Sequence, residues 1–215
     1  MQVLKACSSG TNRHIRWIIK QELGLDPPQA LINDFLNKLP EEEHGMETVV
    51  SPSKIISLFC KLYISPKVSD GEKSTDKASS KPNSQKLALS DYQIADHENP
   101  SPGDGRKQIS ALTGHLEVQG QNFWTQGIGD GPMGCLIELL CSIGLVIQLL
   151  EHQVAVMEYE SRNQLEEDTS SSEGKMVAYV KCCDISSYTA WGIGIDENQV
   201  DASLKALIRA VASVS

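Results

Sequence analysis

Hydrophobic positions along this chain follow two different rhythms. Over residues 11–64 they recur at helical spacing. His14, Ile15, Trp17, Ile18, Ile19 and Leu23 predict a first amphipathic helix, with Gly24 as its stop and Pro27-Pro28 forbidding continuation. Leu31, Ile32, Phe35, Leu36 and Leu39 mark a second helix near Gln29–Leu39, interrupted by Pro40, Glu41–Glu43 and Gly45. Ser51-Pro52 reads as an N-cap with proline at the first helical position. The third helix, Pro52–Tyr63, presents Ile55, Ile56, Leu58, Phe59 and Leu62. Three short helices with narrow apolar faces make a poor core alone, so residues 1–64 are expected to be a helical linker subdomain that packs on something else.

From residue 87 the rhythm changes to alternation and then repeats itself. Leu87-Ala88-Leu89-Ser90-Asp91-Tyr92 matches Val154-Ala155-Val156-Met157-Glu158-Tyr159, and Phe123–Gly129 (FWTQGIG) matches Tyr188–Gly194 (YTAWGIG). The offsets are 67 and 65 residues. Alternating strands are expected at Ile109–Val118 and Lys175–Cys183, and apolar helices at roughly Pro132–Leu150 and Asn198–Val214. Each unit then reads strand, strand, strand, helix, and two such units pair naturally about a pseudo-two-fold axis with helices on one sheet face. The fold class is α+β: an internally duplicated βββα domain at 87–215, behind the helical subdomain. Residues 65–86, rich in Ser, Lys, Asp and Pro, lack the apolar side chains to offset chain entropy and read as a disordered linker. Residues 96–107 and 161–174 read as long loops.

Charge and composition narrow the function. A net charge of −9 disfavours a nucleic-acid surface, which needs clustered cations to neutralise phosphates. The longest apolar stretch, Met133–Leu150, is broken by Gly134, Glu138, Gly144 and Gln148 and is no membrane span. The six cysteines form no CxxC pair and read as reduced thiols; Cys182-Cys183 on a strand would point to opposite faces. His14, His44, His97, His115 and His152 are scattered without HxH or HExxH, so no metal site is expected. No GxSxG elbow or other catalytic constellation stands out. Residues 1–20 carry four basic residues and no acid, as a mitochondrial presequence would, yet the pattern continues past Glu22 as one helix. The expected location is cytoplasmic, with mitochondrial as the alternative.

The Gly-Ile-Gly turns are the candidate chemistry. Glycines between strand and helix allow close backbone approach, and the free N–H groups of the following helix favour a carboxylate or phosphate. The runs are Gly127-Ile128-Gly129-Asp130-Gly131-Pro132 and Gly192-Ile193-Gly194-Ile195-Asp196. Neither is GxGxxG or a P-loop. Two readings remain open on the residues alone, a tight strand-to-helix turn and a ligand site.

These residues resemble the C-terminal part of fungal-type 2-isopropylmalate synthase over nearly the whole chain. SSGTNRHIRWIIKQELGLDPP and SPSKIISLFCKLY are similar to that enzyme's barrel exit and helical linker. GIGDGP at 127–132, VAVMEYE at 154–160 and AYVKCCDISSYTAWGIGIDENQVDASLKALIRA at 178–210 resemble its leucine-sensing domain. The resemblance implies a regulatory fold that dimerises and binds leucine, with Gly127, Gly129, Asp130, Gly131, Pro132, Gly192, Gly194 and Asp196 near the effector. It implies a metal-dependent barrel, condensing acetyl-CoA with 2-oxoisovalerate, N-terminal to everything here, so that no catalytic residue and no cofactor belong to this chain. Asp130 stands where the family usually carries Asn; an anion there repels a carboxylate and attracts an ammonium. Ser161-Arg162 replaces the acid–His pair that often follows the strand tyrosine.

The expected role is a non-catalytic regulatory piece of such a synthase, pairing with itself or with a full-length synthase. Two alternatives stand beside it: a fragment or split partner of an acyltransferase serving a specialised, secondary-metabolite pathway, and a free-standing amino-acid-binding module.

Overall fold

A computed structural model describes residues 8–39, 51–64, 87–98, 108–157 and 174–214. The expected 65–86 linker, the loop residues at 99–107 and 161–173, and Cys7, His44 and Tyr159 lie outside them. Three helices come first: α1 (Ser8–Leu23), α2 (Gln29–Lys38) and α3 (Pro52–Phe59), the last running on into a π-helical turn at Cys60–Ile64. Gly24 takes the left-handed conformation, φ +65°, and its N–H closes back on the Lys20 carbonyl, which ends α1. Ser51 caps α3 through its hydroxyl, which accepts from the Lys54 N–H at 3.3 Å.

Two antiparallel three-stranded sheets follow. The first holds β1 (Leu87–Glu98), β2 (Gln108–Val118) and β3 (Gln121–Asp130) in that order, and is followed by α4 (Gly131–Ser142). The second holds β4 (Ile147–Val156), β5 (Met176–Asp184) and β6 (Thr189–Asp196), and is followed by α5 (Gln199–Val214). The duplicated βββα architecture is therefore present.

Two sequence expectations need correction. The apolar run after Pro132 is not one helix to Leu150. It stops at Ser142, Gly144 turns the chain at φ +88°, and Ile147 opens β4. Leu145, Ile147 and Leu149 alternate, a strand period that a continuous apolar count conceals. The second correction concerns the repeat. Strand register pairs Ile94 with Leu112 and Leu112 with Gly127; it pairs His152 with Val180 and Val180 with Gly192. Ile94 and His152 are thus the equivalent positions in β1 and β4, an offset of 58 residues. The LALSDY and VAVMEY segments, 67 apart, are not structural counterparts, because apolar alternation recurs in any half-buried strand. The FWTQGIG and YTAWGIG segments are counterparts. Both first strands also carry a bulge at one equivalent place, between Ser90 and Gln93 and between Leu149 and Glu151.

The inner faces of both sheets and the two helices share one core, built on Leu112, Leu116, Leu136, Leu139, Val180, Leu204, Leu207 and Val211. A second core lies on the opposite face of the second sheet. There Val177, Tyr179, Trp191 and Ile193 are buried against Ile18, Ile19, Phe35, Phe59 and Tyr63 of the helical subdomain. The helices gain from that sheet the core they lack alone. Tyr63 also donates to Asp34 Oδ2 at 2.7 Å, tying the π turn to α2.

The outer face of the first sheet has no such cover among the described residues. Ile128 occupies the position of Ile193, yet it is 57% exposed where Ile193 is fully buried. Trp124, in edge-to-face contact with His115 at 4.8 Å, is 64% exposed on the same face.

Candidate functional site

The eight residues expected near an effector fall at two strand-to-helix junctions. Gly127, Gly129, Asp130, Gly131 and Pro132 join β3 to α4, and Gly192, Gly194 and Asp196 join β6 to α5. Four of these glycines are explained by packing. A Cβ on Gly129 would lie 2.7 Å from the Cys135 N, one on Gly192 2.5 Å from the Ala210 N, and one on Gly194 2.6 Å from the Ala206 N. A Cβ on Gly127 would meet the Cys135 carbonyl group and the Leu139 side chain. Glycine on the inner face lets each helix backbone lie directly on the last strand. Gly131 has open space around it, but its φ of +67° is the left-handed region that favours glycine.

The two helix starts differ in how their amides are satisfied. At α5 the Asn198 Oδ1 accepts the Asp201 N–H at 2.8 Å, and the Asn198 Nδ2 donates to Asp201 Oδ2 at 2.5 Å, a reciprocal cap. Asp196 accepts the Glu197 N–H at 2.7 Å and pairs with Lys205. Burial opposes ionisation of Asp196, but these hydrogen bonds and the Lys205 charge outweigh it and hold its carboxyl below the usual aspartate value. At α4 the capping position is Asp130, exposed, in extended conformation and making no side-chain cap. Pro132 lies within the first helical turn. The α4 start is therefore the junction whose helix amides no side chain of its own caps.

A third place brings together residues that the sequence did not connect. β1 of the first unit lies beside α5 of the second, and Leu87, Ala88, Leu89, Tyr92, Leu204, Lys205, Ile208 and Arg209 line a half-open cavity of about 180 Å³. Tyr92 donates its phenol hydrogen to Asp201 across this seam. Burial, then the Asp201 hydrogen bond and charge, push the Tyr92 phenol well above the usual tyrosine value. Arg209 donates to the Ile193 carbonyl, and burial lowers its guanidinium from the usual arginine value. The available signal was Lys205 and Arg209, four residues apart and the two basic side chains of α5.

Other expected features take structural roles. Cys182 is buried in the shared core, and burial pushes its thiol up to about 12; Cys183 is half-buried. Cys135 is buried with its thiol donating to the Ser110 carbonyl at 2.9 Å. The described cysteines are free thiols, and no cluster of metal-ligating side chains occurs among the described residues. No described helix is long and apolar enough to cross a membrane.

A duplicated βββα domain with glycine-closed strand-to-helix turns defines the class by its fold. The particular family follows from comparison. The family model of the LeuA allosteric (dimerisation) domain matches residues 70–215, and the chain belongs to that family. The chain is 25% identical over 209 residues to 2-isopropylmalate synthase of Mycobacterium leprae, covering 97% of this chain and 29% of that protein. It is 24% identical over 217 residues to the mitochondrial 2-isopropylmalate synthase 2 of Saccharomyces cerevisiae, covering 99% of this chain and 31% of that protein. The chain thus spans about 30% of the length of these relatives. The similarity extends through the helical subdomain as well as the duplicated domain.

Proposed function

We propose that the chain acts as the leucine-responsive, dimer-forming part of a 2-isopropylmalate-synthase-type enzyme, and that leucine binds at the β3–α4 junction. The observation that carries this reading is the unequal capping of the two helices. Asn198 and Asp201 occupy the α5 start, whereas the α4 start presents its amides beside Gly129, Gly131 and an uncommitted Asp130 carboxylate. Those amides suit the leucine carboxylate, and Asp130 suits its ammonium group. A second copy, of this chain or of a full-length synthase, is the partner, and the exposed Trp124 and Ile128 face is the surface offered to it.

Titration with leucine and isoleucine, followed by calorimetry and by the backbone amide signals of Gly129–Gly134, tests this. Saturable leucine heat with shifts at those amides is expected. No leucine heat at ~10 mM, the weak end of metabolite affinity, overturns the effector assignment.

A further inference from the structure

Neither glycine turn lines the cavity between β1 and α5, although its two cations reach the second turn through Asp196 and the Ile193 carbonyl. Leu87, Leu204 and Ile208 are buried at its walls, and Leu89 and Tyr92 are half-buried beside them. Its charged lining is only cationic: Lys205 and Arg209, with no carboxylate among the lining residues. The two nearby acids are already engaged, Asp196 by Lys205 and the Glu197 N–H, Asp201 by Tyr92 and Asn198. Arg209 gives one of its five N–H donors to the Ile193 carbonyl and Lys205 one of its three to Asp196. Positive charge is therefore in surplus at the lining.

We infer that this cavity is a second small-molecule site, one that takes a branched aliphatic monocarboxylate without an amino group. The volume of about 180 Å³ is below that of drug-sized sites, which run to several hundred, and fits an acid of about five or six carbons. The carboxylate would meet Lys205 and Arg209, and the branched tail would lie on Leu87, Leu89, Leu204 and Ile208. An amino acid of the same shape is disfavoured, because its ammonium would be brought beside two cations, Lys205 and Arg209, with no carboxylate in the lining to offset them. Since β1 and α5 come from different repeats, the bound acid would brace the seam between them.

The test uses the whole chain and two probes with one carbon skeleton, 4-methylpentanoate and leucine. Methyl-resolved NMR reports Leu87, Leu89, Leu204 and Ile208 separately from the β3–α4 amides. The expected result is saturable 4-methylpentanoate shifts at the four cavity residues, no leucine shifts there, and binding weakened about tenfold in Lys205→Gln, about 1.4 kcal/mol. Lys205 is half exposed, so the variant is expected to fold; its unchanged spectrum elsewhere verifies this. Arg209→Lys, which keeps the charge, is expected to bind more tightly than Arg209→Gln. Absence of saturable cavity shifts in the folded wild type, or equal shifts from leucine, overturns the inference. Either failure leaves the leucine response at Gly129–Gly134 independently readable.

Discussion

Tyr92 of the first repeat donates its phenol hydrogen to Asp201 of the second. Asp201 is at the same moment half of the α5 cap, through Asn198. One carboxylate therefore fixes a helix start and ties it to the bulged strand of the other unit. A hydrogen bond to a charged acceptor contributes more than a neutral one, and Tyr92 is only half-buried, so Tyr92→Phe is expected to cost about 1–2 kcal/mol. Asp201→Ala is expected to cost more, because the Asn198 Nδ2 bond to its carboxylate is lost together with the Tyr92 bond, while Asn198 Oδ1 still caps the backbone N–H. Urea unfolding of both single variants and the double variant measures the coupling. Additive losses would show that Tyr92 and Asp201 do not interact in solution.

The three tyrosines with raised values give stability a sign on the alkaline side. Burial comes first for each, reinforced by Asp34 at Tyr63, by Asp201 at Tyr92 and by Asp26 at Tyr179. A phenol that keeps its proton more tightly when folded stabilises fully below its unfolded value and loses that contribution as pH rises beyond it. Stability is thus expected to fall above pH ~10, with a shallower slope in Tyr92→Phe. Asp196 acts on the other side. Its folded value is depressed, so its contribution is present above the unfolded aspartate value and declines as pH falls through and below ~4. Denaturant midpoints across pH for wild type, Tyr92→Phe and Asp196→Asn decide both; a pH-independent difference between wild type and Asp196→Asn would refute the acid-side claim.

The junction glycines separate two uses of the same residue. Gly194→Ala pushes a methyl into the α5 backbone and is expected to cost about 3 kcal/mol or more, since backbone cannot rotate away as a side chain can. Gly131→Ala meets no atom and faces only the left-handed φ, so a cost of about 1–2 kcal/mol is expected. Thermal unfolding of the two variants should rank them in that order. The reverse order would mean that α5 sits farther from β6 than the structure places it.

Much of this was legible in the sequence where local physics is decisive. Gly24, Pro27-Pro28 and Ser51-Pro52 punctuate the helices where the structure does, and the matched Gly-Ile-Gly runs are true counterparts. The LALSDY match failed because alternation carries no register: a strand's place is set by its neighbours, and the bulges at Ser90/Gln93 and Leu149/Glu151 reveal the correct alignment only once pairing is known. The helix overran to Leu150 because an apolar run suits a buried helix and a strand alike. The β1–α5 cavity left only partial traces, Tyr92 and the Lys205 and Arg209 pair, because it joins residues more than a hundred positions apart, Leu87 and Leu204 among them.

The unequal cover of the two sheets yields the last expectation. Ile193 and Trp191 are buried beneath α1–α3, while their counterparts Ile128 and Gln126 are exposed, with Trp124 beside them. Removing Trp191 to Ala opens a cavity under the helical subdomain and is expected to cost about 3–5 kcal/mol of its docking and folding. Trp124→Glu, on an exposed face, is expected to leave monomer stability nearly unchanged while weakening self-association, because a charge there must be desolvated when a second copy covers the face. Sedimentation velocity across a concentration series, run beside urea unfolding, separates these effects. If Trp124→Glu and wild type associate equally, the dimer forms through another surface; if Trp191→Ala unfolds at the wild-type midpoint, the helices do not depend on the second sheet for their core.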